Sequence, residues 1–199
     1  DAINEMAKFS TDTMLNAISE DLFELQVEFD NWFSEKSLFG SDEYRDTIGE
    51  LESKNYLKEM DNALWFVSTI LEEEKDNVIV KSTGEPTYFA SDIAYHRNKF
   101  KTREFDQVID IWGADHQGHI SRLKAAMRAL DIDDSKLKIL ISQMVTLKKG
   151  EEVVRASKRT GDFITVKELV NEVGADACRY FFLARSASSQ MEFDMDGRM

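Results

Sequence analysis

Residues 108–147 constrain the fold more than any other stretch. The apolar run Val108-Ile109-Asp110-Ile111-Trp112 leads into the polar loop Gly113-Ala114-Asp115-His116-Gln117-Gly118-His119, after which Ile120, Leu123, Met127 and Leu130 recur at helical spacing. Residues 137–147 then form a near-continuous apolar run, the pattern of a strand buried on both faces. Strand, polar loop, helix and strand in that order require a parallel pair joined by a helical crossover, so the expected class is α/β with a parallel sheet.

The residues before this unit read differently. Met14, Leu15, Ile18 and Leu22 fall on one helical face, and Leu25, Val27 and Phe29 alternate with polar residues as a short strand. Ser41 is placed to cap a helix carrying Tyr44, Ile48 and Leu51, and the pair Asp61-Asn62 marks a turn before Leu64-Trp65-Phe66-Val67. Val78-Ile79-Val80 reads as a further strand, closed by the loop at residues 82–86, and a helix is expected over 92–100. We therefore expect a small acidic α+β domain over residues 1–82 and the parallel α/β unit over 83–199. Beyond the second strand, residues 148–152 read as a turn, Thr165 and Glu168 have capping-box spacing, Gly174 suits a helix stop and Asp176 the cap of the next helix.

Charge is unevenly distributed. Of the net charge of -13, residues 1–80 hold -14, whereas residues 136–160 carry seven basic and two acidic side chains. An acidic surface of this kind argues against a nucleic-acid footprint over the whole molecule, but it leaves a local positive field over one stretch. No window approaches the roughly 20 consecutive apolar residues of a membrane span, and the first residues have no leader pattern, so a soluble cytoplasmic protein is expected. The single cysteine, Cys178, lies in an apolar run and reads as a small buried hydrophobe, with no disulfide or cysteine zinc site available.

Two stretches carry candidate chemistry. The loop at 113–119 sets a carboxylate, two imidazoles, an amide and two glycines between a strand end and a helix start, where open α/β sheets bind anionic ligands. A capped turn is the plain alternative, and a metal site made of Asp115, His116 and His119 a lesser one that has no evident fourth ligand. Further on, Val153-Val154-Arg155-Ala156-Ser157-Lys158-Arg159-Thr160-Gly161 gathers three cations and two hydroxyls, suited to folding over a polyphosphate. Alone, it reads equally as a solvated basic turn.

Taken in order, these stretches closely resemble the second half of the catalytic domain of bacterial arginyl-tRNA synthetases. The resemblance also includes Phe29-Asp30-Asn31-Trp32-Phe33-Ser34-Glu35, the run from Gly84-Glu85-Pro86-Thr87-Tyr88 to Ser91-Asp92-Ile93-Ala94-Tyr95-His96, and Glu172-Val173-Gly174-Ala175-Asp176-Ala177-Cys178-Arg179-Tyr180-Phe181-Phe182. It implies a Rossmann-like fold with an α+β insertion, and an ATP-dependent arginine–tRNA ligase whose partners are arginine, ATP with magnesium, and tRNA(Arg). It further implies that Ser157, Lys158 and Arg159 end the loop usually written KMSKS, with Arg155 and Ala156 in place of its first Lys and Met, and that Lys158 stabilises the ATP phosphates. Tyr88 and Asp92 match positions that bind arginine. A carboxylate can take a guanidinium by two charge-assisted bonds and an aromatic ring can pack on it, whereas without the resemblance the pair reads as a helix cap and a core tyrosine. His116 matches a polar position near the arginine, Gly113 and Asp115 an adenosine contact with His119 beside it, and Gln143, Met144 and Val145 the backbone that holds adenine.

His116-Gln117-Gly118-His119 also fits the other class I signature, HIGH, but Ser157 follows His119 by only 38 positions, too few for the long insertion that separates the two motifs in the family. The expectation is therefore that the true first-half motif and the C-terminal anticodon-reading domain lie elsewhere, that this stretch alone is inactive, and that the ending Asp196-Gly197-Arg198-Met199 departs from the family. Another class I synthetase or nucleotidylyl transferase, and an acidic protein-binding module, are the competing readings.

Overall fold

Hydrophobic periodicity sets most of the elements in the computed structural model, which describes residues 2–149, 152–153 and 164–194. In chain order these are α1 (Ala2–Glu24), α2 (Lys36–Gly40), α3 (Glu43–Ser53), β1 (Leu57–Met60), β2 (Ala63–Phe66), β3 (Asn77–Val80), α4 (Tyr88–Arg97) and β4 (Val108–Gly113). There follow α5 (Ile120–Ala129), β5 (Leu137–Ser142), β6 (Val145–Lys149), β7 (Glu152–Val153), α6 (Val166–Val173), α7 (Ala175–Leu183) and β8 (Met191–Asp194). They divide into two compact units, one of Phe33–Ser142 and one of Asp1–Trp32 with Gln143–Met199.

In the unit Phe33–Ser142, β1, β2 and β3 form an antiparallel sheet. Asp61 and Asn62 both take positive φ, 53° and 57°, as a two-residue hairpin between Met60 and Ala63 requires. The expected parallel pair is present: β4 and β5 run side by side in register from Val108↔Leu137 to Gly113↔Ser142, with α5 as the crossover. Leu51, Phe66, Ile79, Phe89, Ile93, Leu123, Met127, Leu130 and Leu137 form one core, which fixes α3, α4 and α5 against both sheets. The helix expected over 92–100 begins earlier, at Tyr88, and runs into a π-helical turn over Asn98–Thr102.

In the other unit, β6 pairs in parallel with β8, Val145↔Met191 to Lys148↔Asp194, and antiparallel with β7. Leu169 of α6 and Cys178 of α7 are buried against Met191 and Phe193 of β8. The capping box forms as its spacing implies: Thr165 Oγ1 accepts from the Glu168 amide at 3.1 Å, and Glu168 Oε2 accepts from the Thr165 amide at 2.8 Å.

Several local expectations are corrected. Residues 137–147 are two strands in different sheets; the chain breaks at Gln143, whose amide donates to the Ala187 carbonyl at 2.9 Å. Residues 25–29 form no strand, because Gln26 turns at positive φ and the amides of residues 25–27 donate back to the end of α1. Asp42, not Ser41, is the cap position of α3, and Ser41 Oγ donates to the Leu38 carbonyl and accepts from the Glu43 amide, each at 3.4 Å. Gly174 caps α7, leaving Asp176 in the first turn, where its charge still suits the helix dipole. Helix α1 forms, but none of its residues is buried.

Candidate functional site

The start of α4 is pinned by Thr87, whose amide donates to the Ile79 carbonyl at 2.8 Å and whose hydroxyl donates to the Val78 carbonyl at 3.0 Å. Tyr88 is thereby the first helical residue and Asp92 comes one turn later, on the same side of the helix. Both line a pocket of about 200 Å³ with Phe33, Glu35, Leu38, Ser91 and Tyr95. Tyr88 is 85% exposed, which rules out the core-tyrosine alternative. The Phe33 and Tyr95 rings stack at 4.3 Å and 22°, giving the pocket a rigid wall, and Lys99 Nζ lies 4.4 Å from the Tyr95 centroid.

Asp92 was expected at a helix start and lies instead in the second turn. Its carboxylate is reachable by solvent, yet the surrounding protein desolvates it and raises it above the usual carboxylate range, with Glu35 adding to the rise and His96, Arg122 and His119 opposing it. Two carboxylates in one pocket repel each other and leave acceptors for a cation with several donors. A guanidinium, with five N–H groups in a plane, fits that demand and offers a flat face to the aromatic rings. Glu35 and Phe33 were not singled out in the sequence. Both lie in a run that carries the resemblance, but nothing in a linear pattern says that Glu35 meets Tyr88 across 53 positions.

The loop after β4 is a 3₁₀ turn, Ala114–His119, that feeds α5. His116 stands between Trp112 and His119, with ring centroids 6.3 and 5.6 Å away, and its Nε2 lies 3.6 Å from Asp115 Oδ2. Burial lowers His119, the nearby Arg122 and His116 charges lower it further, and Asp92 and Asp115 oppose the shift. That coupling brings the loop into the field of the α4 pocket. A side chain at Gly113 would meet Asp115 Oδ1 at 2.8 Å, a contact that a turn of the exposed Asp115 relieves. Asp115, His116 and His119 do not converge on one point, and among the described residues no three His, Cys, Asp or Glu side chains are grouped to hold a metal ion.

Gln143, Met144 and Val145 belong to the other unit, at the entry to β6, and Met144 is 80% exposed. Arg155, Ser157, Lys158 and Arg159 lie outside the described residues. The structure thus gathers Tyr88 and Asp92 with Glu35, and the charges of His119 and Asp92 act on each other.

The parallel β4-α5-β5 unit and the acidic, aromatic pocket on α4 belong to one compact unit of this chain. Residues 2–183 match the family described as tRNA synthetases class I (R), catalytic domain, and the chain belongs to that family. The match includes the acidic first eighty residues, which are therefore part of the family region and not a separate binding module. Among curated relatives, the arginine–tRNA ligase of Dehalococcoides mccartyi is 57% identical over 98% of this chain and 35% of its own length, and that of Caldanaerobacter subterraneus is 53% identical over 92% and 32%. The chain thus spans about a third of the length of these relatives. Of solved structures, a Campylobacter jejuni protein assigned as an arginyl-tRNA synthetase superposes with a TM-score of 0.88 at 36% identity, covering 96% of this chain and 41% of that one. The arginyl-tRNA synthetase of Thermus thermophilus, at 16% identity and a TM-score of 0.74 over 95% and 42%, shares the fold.

Proposed function

We propose that the full-length gene product is an ATP-dependent arginine–tRNA ligase and that the pocket of Tyr88, Asp92 and Glu35 receives the arginine side chain. The observation that carries this reading is the meeting of two carboxylates and exposed aromatic surface at the start of α4. Asp92 and Glu35 take the guanidinium by charge-assisted bonds and Tyr88 packs on its face. The resemblance gives His116 a polar role towards arginine, Gly113, Asp115 and His119 contacts with adenosine, and the backbone of Gln143, Met144 and Val145 contacts with adenine.

In the first step, an oxygen of the arginine carboxylate attacks the α-phosphorus of ATP and pyrophosphate departs, leaving arginyl adenylate. In the second, a ribose hydroxyl of the terminal adenosine of tRNA(Arg) attacks the arginyl carbonyl and AMP departs. Lys158, with Arg155 and Arg159, neutralises phosphate charge as the first bond breaks, and the Ser157 hydroxyl donates a hydrogen bond to the phosphates. Magnesium, which favours phosphate oxygens over an all-protein cage, arrives with ATP. Residues 1–82 act as the connective insertion and 83–199 as catalytic half-domain in this reading, although residue 82 falls within the compact unit Phe33–Ser142. Among the described residues no helix is long and apolar enough to cross a membrane; the proposed ligase works in the cytoplasm.

The test is arginine-dependent exchange of pyrophosphate into ATP by the full-length gene product in the presence of tRNA(Arg). Asp92→Asn is expected to abolish binding of arginine while leaving ATP binding intact. Retention of arginine affinity by that variant would refute the assignment.

A further inference from the structure

A buried imidazole ties the amino-acid pocket to the strand that carries the loop. His96 is 3% exposed and lies one turn after Asp92 on α4. Its Nδ1 is 2.7 Å from the Asp92 backbone carbonyl oxygen, and its Nε2 is 2.6 Å from Oδ2 of Asp110, in the middle of β4. Lys99 Nζ takes the other oxygen of Asp110 at 2.8 Å, and the Tyr95 ring stands edge-on to His96 with centroids 6.1 Å apart.

These partners dictate the charge on the ring. A peptide carbonyl only accepts, so Nδ1 donates. Burial alone would raise the Asp110 carboxyl, but the His96 and Lys99 bonds overcome it and take it down to about 2, so this group is an acceptor as well. Nε2 therefore faces an acceptor too, so both ring nitrogens have an acceptor opposite them, the arrangement that suits an imidazolium. With Lys99 it sets two basic side chains against the one carboxylate of Asp110, a basic surplus that begins one turn after Asp92.

That surplus matters because Asp92 and Glu35 face one pocket. Desolvation and the Glu35 charge both push Asp92 towards its neutral form, and a neutral Asp92 would lose most of its hold on a guanidinium. Arg122 and His119 oppose this from α5 and the turn before it, but His96 opposes it most strongly.

We propose that His96 is a positioning residue for the amino-acid pocket: as an imidazolium held between the Asp92 carbonyl and the Asp110 carboxylate, it fixes the second turn of α4, and with it the Asp92 side chain, to β4. The proposal rests on the arginine-pocket reading above.

Calorimetric titration of arginine into the full-length gene product, repeated at several pH values, separates the two claims. His96→Gln is expected to keep its affinity for ATP and to lose arginine affinity by about tenfold, the size of one charge several ångströms away. The deficit should widen as pH falls, because Asp92 then gains its proton earlier. If Asp92→Asn still binds arginine, the pocket reading fails. If Asp92→Asn does not bind but His96→Gln matches the unaltered protein in affinity and pH profile, the role given to His96 fails. Should His96→Gln not fold, NMR of the unaltered protein with nitrogen-labelled histidine decides: protons on both His96 ring nitrogens at neutral pH uphold the proposal, and an unprotonated one overturns it.

Discussion

Glu50 gathers three cations: Arg97 Nε at 3.0 Å, Lys54 Nζ at 2.9 Å, and Lys101. Burial would raise its carboxyl, but these bonds outweigh it and lower the group from 4.5 to about 2. Because the folded value lies below the unfolded one, the carboxylate stabilises the fold above the ordinary carboxylate range and loses that contribution as pH falls from about 4.5 towards 2. The depression sets an upper bound of about 3 kcal/mol, and with the lysine ends partly in water about 2 kcal/mol is the expected loss for Glu50→Gln. Urea unfolding at neutral pH measures it, and the difference from the unaltered protein should shrink as the solution is acidified through that window. Glu35 belongs to the same scale, and the proposed arginine pocket gives it a role towards ligand. Glu35→Gln keeps the shape of the pocket and removes one of two facing charges, so arginine binding to the full-length gene product should weaken by about 10 to 100-fold, the range for one charge-assisted bond. Calorimetry reads this directly, and unchanged affinity would remove Glu35 from the pocket's chemistry.

Between α6 and α7 the chain turns on Gly174 at φ 85° and ψ 149°, a region open in practice only to glycine. Nothing lies within 4 Å of where its Cβ would be, so a substitution there tests the backbone alone. Gly174→Ala is expected to cost about 1–3 kcal/mol in urea unfolding, whereas a loss near zero would mean that the turn relaxes freely. This glycine was legible in the sequence, as were the capping box and the hairpin at Asp61-Asn62, because each depends on neighbours a few residues apart. What escaped the sequence was pairing. Residues 137–147 read as one strand because apolar character persists across Gln143, and no local pattern records that β5 pairs with β4 while β6 pairs with β8. Residues 25–29 alternate like a strand, yet the amides of residues 25–27 are spent on the end of α1. At the candidate site Tyr88 and Asp92 stood out in the sequence, whereas the roles proposed for Glu35 and His96 rest on contacts that appear only when α4 is set beside its neighbours.

At the scale of the molecule, the segments Asp1–Trp32 and Gln143–Met199 form a unit apart from Phe33–Ser142, and each has its own apolar cluster. Among the described residues the clusters differ greatly in size. In Phe33–Ser142 the buried set runs through α3, both sheets, α4 and α5, whereas in the other unit it comprises Leu169, Cys178, Met191 and Phe193. Regions with less buried apolar surface open at lower free energy, so the smaller cluster should yield first. Cys178 reports on it: it is the only cysteine of the 199 residues, it is fully buried, and burial pushes its thiol up, which suppresses the reactive thiolate. In rising urea, labelling of the Cys178 thiol is expected to begin before the amides of Ile79, Ile93, Leu123 and Met127 lose protection from hydrogen exchange. If the two transitions coincide, the units unfold as one cooperative body, and the difference in buried surface does not govern the order in which they open.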